Sequence, residues 1–139
     1  MPLRGRDRTF ALANCRALLS KLEREIKRYR ETDAGDSAAA AEMTDLAFNI
    51  SVTAWHLCDW VFEDMTADQR KKLDIQKLSD LQKLAREHRP LHLCRQLATG
   101  SKHWEVSQHP DPDIRAVVCH TGSEWRIYIK DGGQGARRN

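Results

Sequence analysis

Apolar and polar positions along this chain recur with the period of a helix over roughly the first hundred residues, then with the period of a strand near the end. Residues 8–32 read as one long helix. Leu12, Cys15, Leu19, Leu22, Ile26 and Tyr29 follow at intervals of 3, 4, 3, 4 and 3, a single seam suited to packing lengthwise on another helix. Arg24, Lys27, Arg28 and Arg30 fall outside that seam, and Glu23 and Lys27 form a favourable pair four residues apart. A polar loop follows, Thr32 to Ser37, with Gly35 as a stop signal. Residues 38–64 read as a second long helix, with Asp36 or Ser37 as its cap. Met43, Ala47, Ile50, Ala54, Leu57 and Val61 form its stripe, and Leu46, Trp55, Cys58 and Phe62 widen it. A helix apolar over most of its circumference is expected to be covered on several sides.

The next segments are shorter. Thr66-Ala67-Asp68-Gln69 has the form of a capping box and predicts a short helix over 67–73. Ser79-Asp80-Leu81-Gln82 opens another, carried to His88 by Leu81, Leu84 and Ala85. Pro90 ends that helix or opens the next, which Leu91, Leu93, Cys94, Leu97 and Ala98 define and Gly100 ends. The period then changes to two. Arg115–His120 is rich in β-formers, Trp125, Ile127 and Ile129 alternate with polar residues, and Thr121-Gly122-Ser123-Glu124 between them makes a turn. Trp104–Val106 is a candidate third strand. The expectation is an α+β fold, mainly α: a four- to five-helix bundle with a C-terminal antiparallel β-hairpin. The first two helices pair antiparallel across their short loop. Residues 1–131 form a single domain, and 132–139 (Gly-Gly-Gln-Gly-Ala-Arg-Arg-Asn) a disordered tail.

Composition narrows the class. The 139 residues, 40% hydrophobic and 31% charged, suit one domain with its own core. No apolar run is long enough for a membrane span, and no signal peptide precedes the charged N-terminus. The four cysteines, Cys15, Cys58, Cys94 and Cys119, contain no CxxC spacing. They read as small free thiols among apolar neighbours, which places the protein in the reducing cytoplasm. The net charge of +3 conceals a block pattern. Residues 1–32 carry nine basic and four acidic groups, residues 33–65 seven acidic groups and no Lys or Arg, and residues 66–103 again nine basic and four acidic. An acidic helix packed between basic segments explains this, as does a basic surface that meets RNA.

Two polar stripes are candidates for chemistry. Asn49, Thr53, His56 and Trp60 share one face of the second helix, with Asp59 three residues from His56. The His56–Asp59 pair is a hydrogen bond sealed in the core, half of a metal site, or an oriented acid–base pair. His92, Gln96, Thr99 and His103 share a face of the later helix if it passes through Gly100, with Arg95 beside them. Arginine binds phosphate as a fork and a neutral histidine accepts a proton from a ribose hydroxyl; a cationic last turn facing the helix dipole is the structural counterpart. His56, Asp59, His88, His92, His103, His109, Asp111 and His120 are available to a metal, but His88 and His92 are separated by Pro90 and no spacing is diagnostic. Phosphate-binding loops, dinucleotide fingerprints and nucleophile elbows are absent from the sequence. No cofactor and no metal is therefore expected.

The stretch Ala54-Trp55-His56-Leu57-Cys58-Asp59-Trp60, followed by Cys94-Arg95-Gln96-Leu97-Ala98-Thr99-Gly100-Ser101-Lys102-His103, resembles small bacterial and phage helical proteins and is loosely similar to HEPN-type domains. That resemblance implies a helical bundle, often dimeric. Many such domains are metal-independent ribonucleases of toxin–antitoxin or defence systems, and others bind only nucleotides or proteins. Carried over, Arg95 and His103 are the motif pair; the RNA reading built on them adds His56 and Asp59, from the second helix, across the cleft. Seven residues separate Arg95 from His103, a longer gap than the family's usual one, and Gly100 interrupts the helix. Three functions stay open: a non-enzymatic module that forms homodimers or binds a protein partner, a ribonuclease or RNA-binding protein built on Arg95, His103, His56 and Asp59, and a metal-dependent enzyme.

Overall fold

The computed structural model describes residues 9–10, 12–33, 35–102, 111–112, 114–121 and 124–131; for 101–102, 117–121 and 124–131 it describes the backbone alone. The fold is mainly helical. The described residues include α1 (Cys15–Glu31), α2 (Ser37–Asp64), α3 (Ala67–Lys72), α4 (Leu78–Arg86) and α5 (Arg89–Lys102), and the chain is extended again from Ile114. The expected strand at Trp104–Val106 and the tail 132–139 lie outside the described residues.

The first three helices start where a side chain is ready to accept a free amide. The Asn14 side chain accepts from the Ala17 amide, and the Asp36 side chain accepts from the Ala39 amide. Thr66 and Gln69 close the expected capping box, each side chain accepting from the other's backbone N–H at 3.2 and 2.9 Å. Asp80 accepts from the amides of both Gln76 and Lys77 and so starts α4. Those two bonds, the Gln76 amide first, hold its carboxyl below the usual aspartate range. The first helix begins at Cys15 rather than at residue 8. Phe10 has a φ of 57°, outside helical space, and Asn14 is already the cap.

α2 is the common scaffold, with α1 and α5 packed along it and α4 lodged against both α2 and α5. α1 and α2 run antiparallel: Cys15 at the start of α1 donates its N–H to the Asp64 carboxylate at the end of α2, at 2.6 Å, and Glu25 meets Thr53 farther along. Among the described residues the buried apolar ones are Leu18, Leu22, Ala40, Met43, Leu46, Ala54, Cys58, Ile75, Ala85 and Ala98. Past α2, Arg70 turns back. Its Nη2 donates to the Phe62 carbonyl at 2.6 Å and its guanidinium lies 4.0 Å over the Phe62 ring, so one side chain satisfies a C-terminal carbonyl of α2 and stacks on it.

The seam of α1 is rotated from the expected one. Leu18, Leu22 and Glu25 are the buried line, whereas Leu19 is 45% exposed. A carboxylate causes the rotation. Glu25 is only 7% exposed, and it pays for its burial through a closed set of bonds. Lys21 Nζ donates to Glu25 Oε1 at 2.6 Å and to Thr53 Oγ1 at 3.0 Å, and the Thr53 hydroxyl donates to Glu25 Oε2 at 3.2 Å. Turning α1 toward Leu19 would carry Glu25 away from Thr53. On α2 the expected stripe holds for Met43 and Ala54, while Ala47, Ile50, Leu57 and Val61 are half-buried and Ser51 and Thr53 join the interior.

Two outcomes follow for stability. Lys21→Met leaves the Glu25 carboxylate buried without its cation and is expected to cost about 2 kcal/mol in urea denaturation, reduced from the fully buried case because Lys21 is partly solvated. Lys21→Met combined with Glu25→Leu removes the charge with its counter-charge and recovers most of that loss; a double variant less stable than the single one would contradict the arrangement. Asp64→Ala is expected to cost about 1 kcal/mol by uncapping α1.

Candidate functional site

The polar stripe of α5 becomes a docking site for the chain's own return. Pro90 lies in the first turn of α5, where its missing N–H costs nothing, and the helix continues through Gly100 to Lys102. His92 and Gln96, one turn apart, therefore face the same way, and Asp111 sits on them. The Asp111 carboxylate lies 3.0 Å from His92 Nε2 and 3.4 Å from Arg89 Nη1, while the Asp111 N–H donates to Gln96 Oε1 at 3.2 Å. His92 and Asp111 are mostly buried, Arg89 exposed. The sequence singled out His92, Gln96 and Asp111 as chemical candidates. Together they form a clamp that holds Asp111 against the helix.

Of the four candidate site residues, the three that are described, Arg95, His56 and Asp59, do not share one open surface. Arg95 is 7% exposed and is held by contacts of its own. Burial pushes its guanidinium pKa down, and Arg86 nearby adds to the effect. His56 and Asp59 lie exposed on the outer side of α2. Of the three readings of that pair, the hydrogen bond sealed in the core is corrected: His56 makes no bond to Asp59, and Gln82 of α4 donates to Asp59 Oδ1 at 3.4 Å. The reason is rotational. Thr53 is the position on that stripe turned toward α1, and His56, three residues on, is carried past the interface. His103 and His109 lie outside the described residues, as does the side chain of His120. Among the described residues no three His, Cys, Asp or Glu side chains gather as a metal site, and no helix is long and apolar enough to cross a membrane.

Sequence reasoning passed over two features. One is the Lys21–Glu25–Thr53 set, whose signal was the alternative line Leu18–Leu22–Glu25. The other is a groove of about 500 Å³ where α1 begins and α2 ends, lined by Cys15, Val61, Asp64, Met65, Gln69 and Leu73 among others. Its carboxylate, Asp64, is committed to the Cys15 amide, so the groove has no acid–base pair of its own. Its thiol, Cys15, is half-buried and not in a disulfide.

Compared with family models, with curated proteins and with solved structures, the chain matches none.

The cysteines give a test of this interior. Burial, with Asp59 adjacent, pushes the Cys58 thiol up to about 11, and burial raises Cys94 as well. Both stay protonated near pH 8, and thiolate is the reactive form. Alkylation of the native protein, followed by peptide mapping, is expected to modify Cys15 well before Cys58 and Cys94. Modification of Cys58 at the rate of a free thiol would contradict its placement.

Proposed function

We propose that the protein is a non-enzymatic helical module that binds another polypeptide through the outer face of α2. The observation that carries this reading is Phe48. It is 53% exposed at the middle of the most apolar helix, with half-buried Val52 and Trp55 on the same outer line. A large aromatic left in water on a helix that is packed along its other side costs solubility unless a partner covers it. In this reading residues 1–131 act as a single cytoplasmic domain without cofactor or metal. Its C-terminal segments, Ile114–Thr121 and Glu124–Asp131, pair as an antiparallel hairpin with Ile114 opposite Asp131 and Thr121 opposite Glu124.

The polar candidates support the same reading. His92, Gln96 and Asp111 are spent on each other, and Thr53 on Glu25. A ribonuclease of the HEPN type needs the Arg95 guanidinium open to a phosphate, and an arginine 7% exposed and held by its own contacts stands against that.

Incubation of wild-type protein with labelled total RNA, in excess EDTA and then with Zn²⁺ or Mn²⁺, is expected to give no cleavage. A photo-crosslinking residue at Phe48 is expected to yield a covalent polypeptide adduct that the same residue at exposed Ser20 does not. RNA cleavage that is lost in Arg95→Ala with the fold intact by circular dichroism would overturn the proposal.

A further inference from the structure

The Phe48 row of α2 ends in carboxylates on both sides. Asp45, Phe48, Val52, Trp55, Asp59 and Glu63 follow at intervals of 3, 4, 3, 4 and 4, so all six lie along one line of the helix. Phe48 is 53% exposed, Val52 and Trp55 are half-buried, and Asp45, Asp59 and Glu63 are exposed. The line points away from α1, because Thr53, five residues past Phe48, is the position bound to Glu25. Its apolar middle is about 10 Å long, and the whole line from Asp45 to Glu63 about 27 Å.

These carboxylates have no counter-charge. No Lys or Arg occurs between Asp33 and Met65. Among the described residues none forms an ion pair with Asp45, Asp59 or Glu63. What α4 offers Asp59 is the neutral amide of Gln82, at 3.4 Å. A partner that covers the apolar middle takes water from the carboxylates beside it. An uncharged partner leaves them uncompensated and an acidic one repels them, whereas a basic one replaces the lost hydration with opposite charge. The backbone of α2 also limits the partner. Its N–H and C=O groups are bonded within the helix, so an extended segment laid on it finds no main-chain partners. A helical segment arrives with its own bonds made and packs its side-chain ridge along α2 over several turns.

We infer that the Phe48 row receives a basic amphipathic helix of another polypeptide. Its apolar side chains cover Phe48, Val52 and Trp55, and its Lys or Arg residues meet Asp45 at one end and Asp59 and Glu63 at the other. The inference rests on the polypeptide-binding reading above and names the chemistry of the partner.

Titration of the full-length protein into fluorescein-labelled synthetic peptides, followed by anisotropy, tests it. One peptide of about 18 residues, matched to the Asp45–Glu63 line, carries three central Leu at intervals of 4 and 3 on an Ala and Gln background, with two Lys at each end. A second has Glu in place of each Lys. The Lys peptide is expected to bind, with an affinity that falls as salt rises, and the Glu peptide to bind at least about tenfold more weakly. Asp45→Lys with Glu63→Lys is expected to leave the circular dichroism spectrum unchanged and to reverse the order of the two peptides. Phe48→Ser is expected to weaken the Lys peptide although the carboxylates remain.

The inference is overturned if the Lys peptide does not bind, if the two peptides bind alike, or if either variant leaves binding unchanged. It is also overturned if sedimentation finds the wild-type chain as a dimer that Phe48→Ser dissociates, since the occupant is then a second copy. Any of these, with no RNA cleavage and a Phe48 photo-adduct to a polypeptide, leaves the binding reading standing and removes only the basic helix as partner. RNA cleavage lost in Arg95→Ala removes the reading itself.

Discussion

A single buried carboxylate sets the geometry of this protein. Glu25 lies in the contact between α1 and α2, where an ion without partners would be prohibitively unstable. Its two oxygens are taken by Lys21 and Thr53, and Lys21 also reaches Thr53. An apolar contact tolerates a slide of one turn or a roll of part of one. A three-membered polar set does not, because either motion leaves a donor or acceptor without its partner in a dry place. Rotation and register of α1 on α2 are thereby determined together. The far end of the same contact is tied by Asp64, whose carboxylate lies 2.6 Å from the Cys15 amide.

The remaining structure follows from what that contact leaves over. With α1 rolled to bury Leu18, Leu22 and Glu25, Leu19 is turned out to solvent. With Thr53 and Ala54 turned inward and Ser51 and Cys58 buried beside them, the arc of α2 bearing Phe48 and His56 is turned outward. The exposed apolar rows on the two helices are thus consequences of one buried polar set. The row on α2 is the functional surface proposed for the molecule. On α5 a second polar set does comparable work, His92, Arg89 and Gln96 holding Asp111.

The features legible in the sequence are the local ones. The Thr66–Gln69 box needs only residues three apart, and it stands as read. Pro90 marked a boundary, the end of one helix or the start of the next, and it lies in the first turn of α5; α2 announced itself by its length of apolar residues. The antiparallel pairing of α1 and α2 followed from the short loop between them. Polar residues were misread because a stripe states which residues share a face, not what that face meets. Thr53 and His56 belong to one stripe, yet Thr53 is 5% exposed and bound to Glu25, while His56 stands in solvent. Glu25 drew no attention, since nothing local signals that a residue 28 positions on will meet it in the interior. His92 and Gln96 were correctly grouped, but their partner Asp111 arrives from a segment that no periodicity connects to α5.

The most direct measurement is a double-mutant cycle between Glu25 and Thr53 by urea denaturation, with Glu25→Ala, Thr53→Val and the double variant. If the buried set governs the α1–α2 contact, the two changes are strongly non-additive, with a coupling of about 1 kcal/mol or more. Additivity to within about 0.3 kcal/mol would show that the two helices hold their register without it, and would contradict the account.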